Sequence, residues 1–219
     1  MKGMFLTGCD KNTEWQLPWF LNCYFETNNN PIMVADFGMS EEMIEHLKSI
    51  DVRVFKYGTK NKQPDGWFRK PRAIYEAAFM HRLICWLDTD CEVVGDISGI
   101  FRYYQRGKLG MVEDRPWTKR KPNNGTWYNS GVVLTDHNWN LRRWLLLCEK
   151  KPVGGDQEIL HHSLSEIQKI GVIEPLPHKY NTLRLDYIDG INIKNPLVIH
   201  HTGEKGNNII RKKFMGQLL

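Results

Sequence analysis

Short apolar runs and segments of helical spacing alternate along the first half of the chain. Apolar runs of about four to eight residues predict buried strands, and apolar residues three and four positions apart predict amphipathic helices. The runs predict strands at residues 4–7, 31–36, 52–55 and 83–90. One helix is predicted after Ser40, whose hydroxyl is a candidate N-cap, and another over 71–81. This repeated strand–helix–strand order predicts a mostly parallel sheet flanked by helices.

The second half of the chain is less regular. Residues 102–127 are rich in glycine, proline, asparagine and charge, which predicts a long surface loop of the kind that forms lids or binding elements. Regular patterning resumes in a predicted strand over 127–134. A glycine turn then places Asp156 near the start of a helix, and a last strand over 197–200 ends in two histidines.

The composition is that of a single soluble α/β domain. The chain has 219 residues, of which 41% are hydrophobic and 25% are charged, enough for one sizeable core. No apolar run approaches the ~18 residues of a membrane span, and the first residues predict a strand rather than a signal peptide. The five cysteines include no Cys-X-X-Cys pair, so neither a disulfide framework nor a zinc site is indicated. We expect a soluble, cytoplasmic protein without a transmembrane segment.

The net charge favours an anionic ligand. A formal charge of +5 and a pI of 8.9 are modest, and nucleic acid binding would call for a denser basic face. The densest basic clusters are 119–121 and the tail 211–213. Both are interpreted as solvated faces, with the tail kept as a minor candidate for a phosphate or membrane contact.

The most informative motif is Asp88-Thr89-Asp90 at the end of the fourth predicted strand. Two carboxylates spaced i, i+2 on a strand share a face and can bind one hard cation. The alternative is an ordinary strand-ending turn, in which aspartate is common. Because ligands gather at the carboxyl ends of parallel strands, the segment Thr7-Gly8-Cys9-Asp10 and Asp36 are expected to lie beside the motif.

Four short motifs occur in a fixed order. They are Leu87-Asp88-Thr89-Asp90, Tyr128-Asn129-Ser130-Gly131-Val132, Gly155-Asp156-Gln157 and His200-His201-Thr202-Gly203. Together they resemble the signature of the metal-dependent GT-A glycosyltransferases, closest to glycosyltransferase family 8 and the glycogenin-like enzymes, over residues 4 to 205. The resemblance implies a single Rossmann-like GT-A domain, with a nucleotide-binding part over about 1–100 and an acceptor and catalytic part over about 101–219.

The resemblance also implies roles for individual residues. The metal, usually Mn²⁺ in this family with Mg²⁺ as the alternative, would be bound by Asp88, Asp90 and His200. The donor sugar and the reaction centre would be lined by Asn129, Asp156 and Gln157. The nucleotide and its phosphates would be contacted by Thr7, Gly8, Asp10, Lys70, Arg72, Asp88, Thr89, Gly203 and Lys205.

Two departures from the family pattern concern basic residues. The family often ends its last motif as His-X-X-Gly-X-X-Lys-Pro-Trp, whereas here position 206 is glycine and Lys205 comes one residue early. On the helix before the metal strand, Arg72 has the spacing expected from glycogenin-like chains, and Lys70 is its neighbour across Pro71. Either of these two residues is a candidate for the diphosphate.

The function implied is transfer of a hexose or another pyranose from a nucleotide sugar, with UDP-sugars as the usual donors, to a hydroxyl acceptor. Family 8 enzymes retain the anomeric configuration; an inverting enzyme would instead need a base, and Asp156 or Glu158 is the candidate. The acceptor is expected to be a glycan, with a lipid-linked sugar, a protein hydroxyl and a modified nucleobase left open. Trp117 and Trp127, which flank the predicted loop, are candidates for sugar stacking or for the core.

Two alternative functions are considered. A sugar-phosphate nucleotidyltransferase shares the fold but would carry a glycine-rich basic loop after the first strand, which the segment Thr7 to Lys11 does not supply. A non-enzymatic nucleic-acid-binding module would use the basic tail and would leave the ordered motifs unexplained. The oligomeric state is left open.

Overall fold

The computed structural model describes residues 3–56, 66–150 and 153–217. Within these ranges the strands are β1 (Met4–Cys9), β2 (Ile32–Asp36), β3 (Arg53–Phe55), β4 (Ile84–Leu87), β5 (Cys91–Val93), β6 (Leu109–Glu113), β7 (Tyr128–Thr135), β8 (Ile173–Pro175), β9 (Thr182–Leu183) and β10 (Val198–His200). The α-helices are α1 (Leu17–Thr27), α2 (Glu41–Ser49), α3 (Lys70–Met80), α4 (Arg115–Arg120), α5 (Trp139–Lys150), α6 (Asp156–His162), α7 (Glu166–Val172), α8 (Arg184–Ile188) and α9 (Gly203–Gln217).

A seven-stranded sheet forms the centre, with strand order β3-β2-β1-β4-β7-β6-β8. The strands β3, β2, β1 and β4 are parallel, β7 runs antiparallel to both β4 and β6, and β8 is parallel to β6. The predicted mostly parallel α/β sheet is therefore confirmed, with β7 as the reversed strand.

Both faces of the sheet are covered, which is why its strands are continuous apolar runs. One buried cluster packs α1 and the end of α9 against the sheet, with Phe5, Trp19 and Phe20 among its largest members. The other packs α3 and α5 against the opposite face, around Trp86 and Trp144. All four residues of β4 are buried. Among the described helices, none has the length and apolarity that a membrane crossing requires.

A second sheet of three strands, in the order β5-β10-β9, lies beyond the end of β4. The strand β10 runs antiparallel to β5 and parallel to β9. The predicted strand over 83–90 thus requires a correction, because β4 ends at Leu87 and the chain turns through 88–90 before entering β5. The turn transfers the chain from one sheet to the other, so the two aspartates lie between the sheets.

Two predicted helix starts are confirmed. The Ser40 hydroxyl accepts a hydrogen bond from Met43 N at 3.2 Å and caps α2. The helix α3 begins at Lys70, with Pro71 in its first turn. Backbone N–H groups in the first turn have no acceptor within the helix, so proline costs no hydrogen bond there.

The prediction that residues 102–127 form a surface loop is wrong. The segment contains β6, of which four residues are buried between β7 and β8, and the helix α4, capped by Asp114. The five-residue run Leu109-Gly110-Met111-Val112-Glu113 is short, and it is flanked by glycine, proline and charge on both sides. Its strand conformation depends on pairing with β7 and β8, which are distant in sequence.

Candidate active site

The turn through Asp88 and Asp90 is fixed at both ends by backbone hydrogen bonds. Asp88 N donates to Gly131 O at 2.8 Å, and His201 N donates to Asp90 O at 2.9 Å. The first bond ties the turn to β7, and the second ties it to the residue that follows β10. Both carboxylates therefore project from backbone that is held by two different strands.

The strand β10 brings His200 to this turn from the far end of the chain. His200 pairs with Cys91 in the small sheet and so lies beside Asp90. Its Nε2 is 3.0 Å from Asp90 Oδ1 and 4.0 Å from Asp88 Oδ2, and the residue is buried. The structure thus brings the three predicted metal ligands together.

Hydrogen bonds around Asn129 orient the ring of His200. Asn129 Nδ2 donates to Asp114 Oδ2 at 3.1 Å, and because a carboxylate only accepts, this contact fixes which way the amide points. The Asn129 Oδ1 therefore faces His200 Nδ1 at 3.1 Å, and Asn181 Oδ1 lies at the same distance. Because both neighbours of Nδ1 are acceptors, Nδ1 is a donor, and Nε2 is the nitrogen that faces the two carboxylates.

Gly131 leaves room for that ring. A Cβ at position 131 would overlap Cε1 and Nδ1 of His200. The glycine of the Asn129-Ser130-Gly131 motif is thus required by a side chain that lies about seventy positions later in the chain.

The charges in this cluster depend on one another. Burial lowers the pKa of His200, but the Asp90 and Asp88 carboxylates outweigh it and leave the pKa raised. Burial raises the pKa of Asp90, yet the His200 ring brings it below its usual value. The pKa of Asp88 is raised because burial outweighs the opposing effect of Lys70.

The donor atoms suit a divalent cation. In an octahedral shell with metal–ligand distances of about 2.1 Å, adjacent donors lie about 3 Å apart, as His200 Nε2 and Asp90 Oδ1 do. Asp90, Cys91 and His200 also have ligand atoms within 4.8 Å of one another. However, burial raises the pKa of Cys91 well above its usual range, and its thiol donates to Gly131 O. The carboxylates and the imidazole are therefore the available donors, a set that suits Mn²⁺ better than Mg²⁺.

Lys70 lies buried directly beside the aspartates. Its Nζ is 2.9 Å from Asp88 Oδ1 and 3.3 Å from Asp156 Oδ2, and it donates to Ser130 O at 3.1 Å. Burial lowers the pKa of Lys70, but Asp156 and Asp88 raise it above its usual range, so the ammonium stays charged. This one cation holds Asp88 and Asp156 together.

The other two basic candidates lie elsewhere. Arg72 forms ion pairs with Glu76 on α3 and with Glu149 on α5. Lys205 is exposed in the first turn of α9 and does not line the cleft described below. Of the two candidates on α3, the structure therefore places Lys70, and not Arg72, next to the aspartates.

A network of side chains joins Gln157 to Asn129 through Asp114. Gln157 Nε2 donates to Asp114 Oδ2 at 3.0 Å, and its Oε1 accepts from Asn129 Nδ2 at 3.0 Å and from Ser130 N at 3.2 Å. Asp114 is 1% exposed, and its other oxygen accepts from Trp117 N. Asp114 is not among the predicted site residues, because residues 102–127 were predicted to form a surface loop.

A cleft of about 490 Å³ opens beside the aspartates, and we call it the large cleft. Its lining includes many of the predicted nucleotide-contacting residues. These are Gly8, Asp10, Lys70, Asp88, Thr89 and Gly203, together with Asp90. Thr7 does not line the cleft; it is fully buried in β1. Asp10 Oδ1 accepts from the backbone of Asn12 and Thr13, so that oxygen shapes its own turn.

Gln16 connects the metal turn to the last helix. Thr89 Oγ1 donates to Gln16 Oε1 at 2.6 Å, and Gln16 Nε2 donates to Asn207 Oδ1 at 2.8 Å. Gln16 is buried, and both Gln16 and Asn207 line the large cleft. No local pattern marked this glutamine, because its two partners lie 73 and 191 positions away.

A smaller pocket of about 240 Å³, here called the aromatic pocket, lies on the Gln157 side of the aspartates. Its walls are Asp114, Trp117, Trp127, Asn129, Gln157, Glu158, Leu183, Leu185 and Thr202. Trp127 stacks on His161 with ring centroids 3.5 Å apart, whereas Trp117 is partly exposed at the mouth. Among the described residues, Trp127 Nε1 has no hydrogen-bond partner.

No family model and no curated protein sequence matches the chain. Solved structures match it at low identity. The galactosyltransferase LgtC, in complex with donor and acceptor sugar analogues, superposes with a TM-score of 0.65 at 14% identity, over 91% of this chain and 87% of LgtC. The glycosyltransferase GlyE of Streptococcus pneumoniae TIGR4 superposes with a TM-score of 0.69 at 16% identity, over 99% of this chain and 64% of GlyE.

A glycosyltransferase involved in glycosylation of the major capsid of PBCV-1 also matches, with a TM-score of 0.56 at 14% identity, over 95% of this chain and 98% of that one. A further match is an active-site variant of LgtC in which a glutamine is changed to glutamate. The fold of this chain is therefore that of the GT-A glycosyltransferases, a mixed sheet with a short second sheet at the carboxyl end of its central strand.

Proposed function

We propose that this protein transfers a hexose or another pyranose from a UDP-sugar to a hydroxyl acceptor, that it depends on Mn²⁺, and that it retains the anomeric configuration as family 8 enzymes do. The observation that carries the proposal is the meeting of Asp88, Asp90 and His200 beside the large cleft, with His200 Nε2 turned towards both carboxylates. These residues come from two sheets, so their convergence is a property of the whole fold.

The large cleft is proposed to hold the donor. Its lining includes Gly8 and Asp10, around the end of β1, together with the two aspartates and Lys70. The nucleoside would lie at the β1 end and the diphosphate beside Asp88 and Asp90. Asp88, Asp90 and His200 would hold a divalent cation there, which would supply positive charge against the departing diphosphate.

Lys70 and Asp156 are proposed to act at the sugar end of the donor. The Lys70 ammonium orients the Asp156 carboxyl group, because it is buried between Asp156 and Asp88. Asp156 and Gln157 open α6, and Gln157 is held by Asp114 and by the backbone of Ser130. In this proposal the carboxyl group of Asp156 and the amide of Gln157, both held in place, would flank the anomeric carbon.

The aromatic pocket is proposed to hold the acceptor. It shares Asn129 and Gln157 with the reaction centre, and Trp117 offers a partly exposed indole at its mouth. Aromatic rings pack against the C–H faces of sugars. These features favour a glycan among the candidate acceptors.

The alternative functions are less well supported. The loop after β1 carries Asp10 and Asn12 in a local turn and supplies no cluster of basic residues for a nucleotidyltransferase. In the basic tail, Lys213 is paired with Glu92, and Arg211 lies over the ring of Trp15. The cations of the tail are thus partly engaged within the fold.

The experiment that tests the proposal is release of nucleoside diphosphate from UDP-, GDP- and ADP-sugars, with and without Mn²⁺. We expect Mn²⁺-dependent release from a UDP-sugar by the wild-type protein and by Glu45→Gln, which changes an exposed carboxylate. Asp88→Asn should abolish release. Cys91→Ala should retain it, because the thiol is not a proposed ligand. Absence of release, combined with absence of Mn²⁺-dependent UDP binding, would refute the proposal.

A further inference from the structure

Trp67 lines the large cleft and has no role in the proposed function. Its side chain is 57% exposed although it lines the cleft together with Lys70 and Asp88. Among the described residues, it is the one exposed large apolar side chain in that lining. An indole left half exposed inside a cleft offers a large flat surface that a ligand would cover.

Two hydrogen bonds hold the short 3₁₀ turn Gly66–Arg69, which carries Trp67, in place. Trp67 Nε1 donates to Gly154 O at 3.3 Å, and Arg69 Nη1 donates to Phe37 O. Gly154 lies in the loop before α6, and Phe37, which lines the cleft, directly follows β2. The turn is therefore tied to two segments that are distant in sequence, and the indole is anchored to the loop before α6.

The α6 side is the side of the reaction centre. Gly154 is two residues before Asp156, and Lys70, which contacts Asp156 at 3.3 Å, follows the turn directly in sequence. The lining also includes polar residues of the loop after β1, among them Asp10 and Thr13. A donor whose sugar lies at Asp156 would therefore present that sugar to Trp67.

We propose that Trp67 is a stacking platform for the pyranose ring of the donor, and that it discriminates a nucleotide sugar from the free nucleotide. The inference rests on the proposed function, because it requires the donor to occupy the large cleft. The apolar C–H face of a pyranose matches the exposed indole face. The Gly154 contact fixes the indole beside Asp156, so that the sugar is held at the reaction centre while its hydroxyls remain free for polar contacts.

The test compares the Mn²⁺-dependent affinities for UDP and for UDP-hexoses by calorimetry, in the wild type, Trp67→Ala and Trp67→Phe. Trp139→Ala is the matched control, because Trp139 is 66% exposed on α5 and does not line the cleft. We expect Trp67→Ala to weaken UDP-hexose binding about tenfold, or ~1.4 kcal/mol, and to leave UDP binding unchanged. The affinity of Trp67→Phe for UDP-hexose should stay within about threefold of the wild-type value, because phenylalanine keeps an aromatic face. Trp139→Ala should bind UDP-hexose as the wild type does.

Several results would overturn the inference. Equal weakening of UDP and UDP-hexose in Trp67→Ala would show that the indole contacts the nucleotide or only supports the fold. Unchanged UDP-hexose binding would show that it makes no contact, and an equal loss in Trp67→Phe would assign the effect to the Gly154 hydrogen bond. If the wild type bound neither UDP nor any UDP-hexose, the proposed function would fail and the platform with it.

Discussion

Replacement of Lys70 by methionine tests the buried ion cluster on which the site depends. Methionine has a similar length and fits an apolar environment, but it leaves Asp88 and Asp156 without their shared cation. Lys70 is 3% exposed and forms ion pairs of 2.9 and 3.3 Å with these residues. Removing one partner of a buried ion pair costs about 3–5 kcal/mol, because the remaining charge is uncompensated.

The assay is urea denaturation followed by circular dichroism, without divalent metal. We expect Lys70→Met to lower the free energy of unfolding by about 3–5 kcal/mol. The control is Lys48→Met, which removes an ion pair with Glu45 whose side chains are 61% and 71% exposed. A pair that exposed contributes less than about 1 kcal/mol. The double variant Lys70→Met with Asp156→Asn should recover part of the loss, because it removes one of the unpaired carboxylates.

Mn²⁺ provides a second measurement on the same variant. A ligand that binds only the folded state stabilises it by about 2.7 kcal/mol at one hundred times its dissociation constant. If Asp88 is a metal ligand, Mn²⁺ should stabilise Lys70→Met at least as much as the wild type, because the cation replaces lost positive charge. A loss of less than about 1 kcal/mol in the free energy of unfolding of Lys70→Met would show that Lys70 does not stabilise this cluster. The same conclusion would follow if adding Asp156→Asn to Lys70→Met recovered none of the loss.

Three further predictions concern the metal, the reaction centre and a buried histidine. Asp88→Asn and His200→Ala should each remove most Mn²⁺-dependent nucleotide release while the circular dichroism spectrum is unchanged; full activity in either variant would contradict the assigned ligands. Asp156→Asn should lower kcat more than it raises the KM for donor, and the opposite pattern in steady-state kinetics would remove Asp156 from the reaction centre. Burial and neighbouring positive charge lower the pKa of His161 from 6.5 to about 4, so its neutral form stabilises the fold above pH 6.5 and this contribution is lost as the pH falls towards 4. In urea titrations at several pH values, the free energy of unfolding of the wild type should therefore fall relative to that of His161→Gln as the pH is lowered from 6.5 towards 4. A difference that does not change with pH would contradict this assignment.

The regular elements of the fold were accessible from the sequence because their signals are local. The apolar runs of β1, β2 and β4 and the Ser40 cap of α2 depend on neighbouring residues, and the structure confirms them. The strand β6 was missed because a run of five residues between charged and glycine-rich segments has no decisive local signal. Its conformation is set by β7 and β8, which pair with it on either side.

The candidate site was partly accessible for the same reason. Asp88, Asp90 and His200 lie in short motifs that occur in the same order in a known family. In the structure, His200 Nε2 is 3.0 Å from Asp90 Oδ1 and 4.0 Å from Asp88 Oδ2. Their role as metal ligands stays a prediction. The sequence left Lys70 and Arg72 as equal candidates for the diphosphate. In the structure, Lys70 is buried against Asp88, whereas Arg72 is paired with Glu149.

The sequence by itself thus determined the α/β class, most of the strands and the acidic turn. Only the tertiary structure decided which basic residue meets that turn, which way the Asn129 amide points and where Trp67 lies. The physical reason is sequence separation. Periodicity and capping act over a few residues, whereas contacts such as Lys70 with Asp156, Asp114 with Gln157 and Trp67 with Gly154 exist only after the sheet has brought distant segments together.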